Sequence, residues 1–438
     1  MKSTQTKNEL LILKNAIVVT MEKEEVLHNQ FVYVYDGKFL AISEKKLKTF
    51  NVQVDKIIEK DIQGNLIMPG LINCHNHGAM TIFRNFADDL ELESWLYTKI
   101  FPLEDKLIDS DVYIGSKLAQ EEMLASGTTS YVDMYMLQEN TVKAVKETGI
   151  RAFIGSGLVG DGQTARREKE NKYLFNKYNN TLDGLLNIIA SPHAVYTNDD
   201  ESLKLAKRLH DDFGTLLTVH ANESETEVRN CLEKHGKTPI QLLNDYGILT
   251  DTTILAHVVH TTDKDLEIIK ATNSTIAHNP VSNLKIASGI APIDKYVKWG
   301  INITLGTDGP ASNNGLDMFE TAKYASILAK NNEKDAAVLP AYQILEMLTV
   351  NGAKALHKSN ELGKIKVGYI ADFIVVDINN IFHSPKNNII NSLVYSTSGR
   401  DVLQTYTNGV LRYSKTWKAF GKKTQAAAEK AISALIAR

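Results

Sequence analysis

The chain has 438 residues, a formal net charge of −3 and 43% hydrophobic residues. That length suits two or three domains, or one large barrel with an appendage, and that apolar share excludes global disorder. The near-neutral balance excludes the basic footprint of a nucleic-acid binder, no run of ~18 apolar residues offers a membrane span, and two cysteines, Cys74 and Cys231, cannot make a disulfide framework.

The opening stretch MKSTQTKNELLILKNAIVV carries charges where a secretory leader needs an apolar core, so a cytoplasmic protein is expected. Up to about residue 65 the pattern reads as short strands, LLILKNAIVVT and QFVYVYDGKFLAISEK, the second folded at the hairpin pair Asp36-Gly37. Short apolar runs then alternate with helix-length segments. They are LINCHNH (71–77), SYVDMYM (130–136), RAFIGSG (151–157), NIIASPH (187–193), LLTVH (216–220), TILAH (253–257), STIAH (274–278) and ITLGTD (303–308). Eight strands alternating with helices predict an α/β fold of the (β/α)8 barrel type, and a doubly wound parallel sheet shares the same periodicity. Strands return at DFIVVDI and at VLQTYTNGVLRYS, which turns at Asn408-Gly409, and the Ala-rich end KKTQAAAEKAISALIAR is helical by propensity. The expected layout is a barrel over 66–360, a small β-sandwich built from 1–65 and 361–420, and a C-terminal helix over 421–438. That helix could cover a surface of its own chain or join a second copy in a homo-oligomer.

Polar residues gather at the C-terminal ends of these strands, the rim where barrel sites are built. His75 and His77 end the first, His220 the fifth, His257 the sixth and Asp308 the eighth. Alternation puts the His75 and His77 imidazoles on one face of their strand and the Cys74 thiol on the other, where it packs. Imidazoles and a carboxylate converging from several strands make a nitrogen- and oxygen-rich site for a divalent metal: zinc, iron or manganese. A single strand-end histidine is more often a hydrogen-bonded core residue, but four with an aspartate on one rim are not five unrelated core residues. Glu223, three residues after His220, stands where a proton shuttle is needed, although Glu225 and Glu227 follow and a solvated loop glutamate is the plainer reading of it alone. His257 could hold a second metal or a nucleophilic water; with no strand-end lysine to bridge two metals, one metal is preferred, with His257 and Asp308 orienting the water.

The motifs MPGLINCHNH, TVHANE, ILAHVVH, HNPVSNLKIASGIAP and LGTDGPASNN, in this order over nearly the whole chain, resemble the amidohydrolase superfamily. Within it the chain looks most like the branch of 5′-methylthioadenosine/S-adenosylhomocysteine deaminases, with guanine deaminases and chlorohydrolases as relatives. The resemblance implies one zinc, or iron, held by His75, His77, His220 and Asp308. It also implies substrate contacts: Trp95 stacked on a purine, Glu104 accepting ribose hydroxyls, and His193 on the rim. Glu223 would protonate purine N1, and a hydroxide aligned by Asp308 and His257 would attack C6 to release ammonia. The chain departs from the family's pattern at Ser156, where relatives that take the homocysteinyl carboxylate carry an arginine, while Arg166 or, fitting better, Arg167 matches a second one. That departure implies a preference for uncharged 5′ substituents, as in methylthioadenosine, 5′-deoxyadenosine or adenosine. The rivals are a guanine or pterin deaminase, a triazine chlorohydrolase and a silent metal-binding scaffold; Glu104 favours a ribose, and the complete ligand set disfavours the scaffold.

Overall fold

The computed structural model describes residues 8–90 and 92–438, so the opening MKSTQTK lies outside the described residues. Five strands come first: β1 (Glu9–Val18), β2 (Leu27–Tyr35), β3 (Lys38–Ser43), β4 (Lys56–Asp61) and β5 (Leu66–Pro69). Eight follow at the expected places: β6 (Leu71–Asn76), β7 (Thr128–Tyr135), β8 (Arg151–Ser156), β9 (Leu186–Ile188), β10 (Leu217–Ala221), β11 (Thr253–His257), β12 (Thr275–His278) and β13 (Ile303–Leu305). The last three are β14 (Phe373–Val376), β15 (Val402–Thr407) and β16 (Val410–Ser414).

Strands β6 to β9 and β10 to β13 form two four-stranded parallel sheets. Bridges Ala190–Leu217 and Ala194–His220 join β9 to β10, and the Asp308 N–H donates to the His75 carbonyl at 3.0 Å, joining β13 to β6. The ring therefore closes as a (β/α)8 barrel. Strands β7, β8, β10, β11 and β12 are buried throughout, as parallel strands covered on both sides must be. Ile72, Val132, Phe153, Ile189, Leu216, Ile254 and Ala277, from seven successive strands or their ends, share one buried cluster, which only the lumen can house. Side-chain caps start the outer helices sharply: Asp199 accepts the Ser202 N–H, and Thr262 that of Asp265.

Two barrel strands are shorter than their apolar runs. The fourth ends at Ile188 because its continuation makes only isolated bridges, Pro192 to Leu158 just past β8 and Ala190 and Ala194 to the β10 side, so His193 lies outside a regular strand. The eighth ends at Leu305, and Asp308 lies beyond it with φ 63°.

The strands from both chain ends form one sheet in the order β16-β15-β14-β5-β1-β2-β3, with β4 beside the first half of β1. Asn15, with φ 56°, bends β1 so that its second half borders β5. Phe39 of β3 packs on Phe373 of β14 with ring centroids 5.7 Å apart, although three strands separate them in the sheet. The sheet thus folds over itself as the layers of a sandwich, around Leu11, Leu13, Val32, Val34 and Val375. Asp36-Gly37 and Asn408-Gly409 both have φ positive at each position, the geometry of a two-residue type I′ turn. Strand β5 hydrogen-bonds between β1 and β14, so residues 66–69, expected in the barrel, belong to this sheet. Conversely, the helix Ile389–Tyr395, inside the expected 361–420 β part, packs Ile390, Leu393 and Val394 into the barrel's outer core. The C-terminal helix spans Lys422–Ala437 and lies on the helix Asp109–Ala125 of its own chain.

Candidate active site

The structure brings His75, His77, His220 and Asp308 together at the C-terminal rim, with one ligand atom from each within 4.8 Å of all the others. Gly306 makes the approach possible: a Cβ there would lie 2.8 Å from His75 Cβ and 2.4 Å from Asn279 Oδ1. His77 Nδ1 donates to the Met134 carbonyl at 2.7 Å and His220 Nδ1 to the His193 carbonyl at 2.6 Å. A carbonyl only accepts, so both rings carry hydrogen on Nδ1 and present a lone pair at Nε2. Those two Nε2 atoms face each other at 3.2 Å. His75 Nε2 is buried without a hydrogen bond, 3.3 Å from Asp308 Oδ1, and His77 Nε2 lies 3.2 Å from the same oxygen. Facing lone pairs beside a carboxylate need a cation, and the donor set fits a divalent metal.

Asp308 is oriented from behind. Its Oδ2 accepts Ser282 Oγ–H at 2.6 Å and Ser312 Oγ–H at 2.9 Å, leaving Oδ1 for the histidines. Burial alone would raise its pKa, but the His75 and His77 contacts hold it well below the usual carboxylate range. Burial lowers His75 to about 4, whereas in His77 the Asp308 contact outweighs burial and lifts the imidazole to about 9. A proton takes the His77 Nε2 lone pair when no metal does, while burial keeps His75 and His220 neutral, so Asp308 and His77 are what hold a positive charge at the centre.

Glu223 follows β10 through Asn222, whose φ of 52° turns the chain back over the rim. Asn222 is pinned by the Ile240 N–H to its Oδ1 and by its own Nδ2 to the His260 carbonyl. Glu223 is only 4% exposed, so it is no solvated loop residue. Its Oε1 accepts Ser288 Oγ–H at 3.4 Å and lies 3.8 Å from His257 Nδ1, and burial pushes its pKa up. His257, at φ 72°, donates Nδ1–H to Asn283 Oδ1 at 2.7 Å, which leaves Nε2 as an acceptor. Positive φ at Asn222, His257, Val258 and Asp308 concentrates backbone strain, worth ~1–3 kcal/mol per non-glycine residue, around this cluster.

A cavity of about 810 Å³ opens over the cluster, floored by His77, His220, Asp308, Glu223 and His257. Trp95 and Glu104 line it from the segment after β6, which runs as a short helix Leu92–Trp95, a π-turn Leu96–Ile100 and a helix Phe101–Glu104. Tyr135 donates its hydroxyl to Glu104 Oε1 at 2.6 Å, and burial raises the Glu104 pKa. His193 lines the cavity too; its Nδ1 meets Thr197 Oγ1 at 2.9 Å, and burial lowers it to about 3. Cys74 packs as expected, buried and accepting from Thr304 Oγ1 at 3.2 Å. Ser156 and Arg167 reach the cavity wall, but the Arg167 guanidinium is committed to Asp161 and to the Gly157 carbonyl. Sequence reasoning assigned no role to Ser282, Asn283, Ser312, Tyr135 or Glu227. Ser282, Asn283 and Ser312 sit inside the motifs HNPVSNLK and LGTDGPASNN, and Tyr135 stands at a strand end like the histidines.

The amidohydrolase family profile matches residues 66–412. The chain is 44% identical over 407 residues to a 5-methylthioadenosine/S-adenosylhomocysteine deaminase of Caldanaerobacter subterraneus subsp. tengcongensis, covering 91% of this chain and 92% of that one. It is 43% identical over 404 residues to a 5′-deoxyadenosine deaminase of Methanosarcina acetivorans, covering 91% of each. Among solved structures it is similar to an adenosine deaminase from Xanthomonas campestris with bound zinc, at TM-score 0.90, 28% identity and 99% coverage of both chains.

Proposed function

The chain belongs to the amidohydrolase family, and on that premise we propose that it is a zinc-dependent hydrolytic deaminase of adenosine-type nucleosides, converting an adenosine and water to an inosine-type product and ammonia. One observation carries this reading: a buried carboxyl, Glu223, stands with His257 beside the three-histidine, one-aspartate group on the floor of a cavity walled by Trp95 and Glu104. Zinc rather than iron is supported by the ligand chemistry and by the zinc in the Xanthomonas relative. His75, His77, His220 and Asp308 would hold the ion, which supplies Lewis acidity that makes water ionisable near pH ~7.

The chain's own residues do the rest. Trp95 offers a flat face for the purine, and Glu104 accepts from the ribose hydroxyls through the oxygen that Tyr135 leaves free. Glu223, protonated more readily because it is buried, gives a proton to N1 and so makes C6 electrophilic. Asp308 Oδ1 and His257 Nε2 accept from the attacking water and fix its approach. Left as a carboxylate, Glu223 takes a proton from the water as the water oxygen bonds to C6, delivers it to the exocyclic amine so that the C6–N bond breaks and ammonia leaves, and recovers its own proton from the C6 hydroxyl as the carbonyl forms. A guanine, pterin or triazine substrate would leave the Glu104 carboxylate without its hydroxyl partners, a cost that favours the nucleoside.

The test is ammonia release from a panel of adenosine analogues, guanine, pterins and chlorotriazines, with metal content measured on the same samples. Glu223→Gln should keep its metal and lose about 10²–10⁴-fold in kcat. His220→Ala should lose the metal. Turnover near wild type in Glu223→Gln, or release only from a base lacking ribose, would refute the assignment.

A further inference from the structure

Ser288 is 5% exposed, and among the described residues it is the one hydrogen-bond donor to the Glu223 carboxyl. Its hydroxyl reaches Glu223 Oε1 at 3.4 Å, whereas His257 Nδ1, 3.8 Å from the same oxygen, gives its hydrogen to Asn283 Oδ1. The turn that carries Ser288 is strained, with Ala287 at φ 57° and Gly289 at φ 117°. A Cβ on Gly289 would lie 3.2 Å from Val259 Cγ1 and 3.4 Å from the His260 ring, so only a glycine lets the turn come this near to His260. Both backbone groups of Ser288 are tied down. Its N–H donates to the Asn283 carbonyl at 2.8 Å, and its carbonyl accepts a hydrogen bond from His260 Nε2 at 2.6 Å. A carbonyl only accepts, so the His260 ring is the donor. His260 is fixed in turn to the residue before Glu223. Its N–H donates to the Asn222 carbonyl at 3.0 Å, and its own carbonyl accepts from Asn222 Nδ2 at 2.6 Å. The path from Glu223 through Asn222, His260 and Ser288 therefore closes on the Glu223 carboxyl. Asn283 holds both Ser288, by its carbonyl, and His257, by its side chain, so one residue ties the acid's partner to the imidazole that orients the water.

We infer that Ser288 is a positioning residue for the deamination: it occupies Glu223 Oε1 and so makes Oε2 the oxygen that carries the shuttled proton. This rests on the role given to Glu223 above. Oε2 has no hydrogen-bond partner in the chain and Glu223 lines the cavity, so Oε2 is the oxygen left for the substrate. A hydroxyl can donate to a neutral carboxyl, but it donates more strongly to a carboxylate, where O–H···O⁻ bonds shorten to ~2.5–2.7 Å. The 3.4 Å contact therefore tightens as Glu223 gives its proton to N1. An interaction that strengthens along the reaction speeds the step it accompanies instead of adding to substrate affinity.

The experiment is a double-mutant cycle on the metal-loaded full chain, with metal content and ammonia release from 5′-methylthioadenosine and adenosine measured for each variant. Ser288→Ala should lower kcat about 10–100-fold, leave KM within about twofold and keep the metal. In the Glu223→Gln background, where no proton is shuttled, adding Ser288→Ala should change kcat by less than about twofold. A hydroxyl that only steadied the fold would cost the same in both backgrounds. Equal losses in the two backgrounds, or wild-type kcat in Ser288→Ala, would overturn the inference and leave the nucleoside reading standing. If Glu223→Gln itself turns over like wild type, or if no adenosine analogue releases ammonia, that reading fails and the inference with it.

Discussion

Glu223 and Glu227 are one helical turn apart, and the second holds the first. The Glu223 backbone N–H donates to Glu227 Oε2 at 2.6 Å, while Ser224 caps the helix Glu225–His235 by accepting the Glu227 N–H. Glu227 is buried, its Oε1 has no partner, and burial, aided by the charge of Glu223, pushes its pKa from 4.5 to about 8. A carboxyl whose folded pKa is raised favours folding while protonated. That contribution is complete below its unfolded pKa of 4.5 and is lost as pH rises through about 8. Glu227→Gln keeps an acceptor for the Glu223 N–H and cannot titrate. Urea unfolding at mildly acidic and mildly alkaline pH should therefore show wild type losing on the order of 1–4 kcal/mol relative to the variant across that range. Parallel pH profiles for the two proteins would contradict it. In the sequence Glu227 reads as a solvated neighbour of Glu223, because the fold of Asn222 that buries both is set by Ile240 and His260, residues about 20 and 40 positions away.

At the scale of elements, what could be read from the sequence followed the reach of the signal. Buried parallel strands announce themselves by short apolar runs, and the I′ turns by Asp-Gly and Asn-Gly, because both are local demands of backbone and burial. Histidines ending such runs are legible for the same reason. The shortening of β9, the membership of β5 in the end sheet and the serines behind Asp308 depend on partners far along the chain, so no local pattern carries them. The C-terminal helix is a case between. Its propensity is plain, but its target is not: Leu435 is fully buried in one cluster with Trp95, Ile100, Leu103 and Val112, and Arg438 pairs with Asp111 at 2.8 Å. The chain's last turns thus buttress the segment that carries Trp95 and Glu104. Leu435→Ala should remove about 2–5 kcal/mol of packing from that cluster. The segment should then exchange its amide hydrogens faster, and KM should rise more than kcat falls, because the metal-holding strands are untouched. Unchanged exchange across residues 92–107 would show that the helix is only an appendage.

At the scale of the molecule, barrel and end sheet are joined at the rim away from the site. Arg151 opens β8, and Ser156, at its other end, faces the cavity. The Arg151 guanidinium meets Asp372, just before β14, through Nε at 3.0 Å and Nη2 at 3.3 Å, and also reaches Asn408 Oδ1 and the Gly184 carbonyl. Its side chain is 2% exposed and that of Asp372 is 4% exposed. Asp372 Oδ1 further accepts the Asn408 N–H, so one ion pair fixes the turn between β15 and β16 against the barrel floor. Thr405 and Thr407 add hydroxyl bonds to the carbonyls of Leu124 and Gly149 along the same seam. A sheet contributed by both chain ends is thereby locked to the barrel, which explains why neither end of the sequence reads as a complete domain. Such a pair stabilises through geometry rather than charge, since taking both ions out of water offsets most of their attraction. Asp372→Ala, which strands a buried guanidinium, should cost about 3–5 kcal/mol, whereas Arg151→Met with Asp372→Leu should cost much less than the two single changes combined. A urea-denaturation double-mutant cycle measures the difference, with kcat of the folded protein as its control, since the seam lies at the opposite end of β8 from the cavity. Additive losses would mean that the seam is held by its hydroxyl bonds and apolar contacts instead, and that Arg151 and Asp372 are merely neighbours.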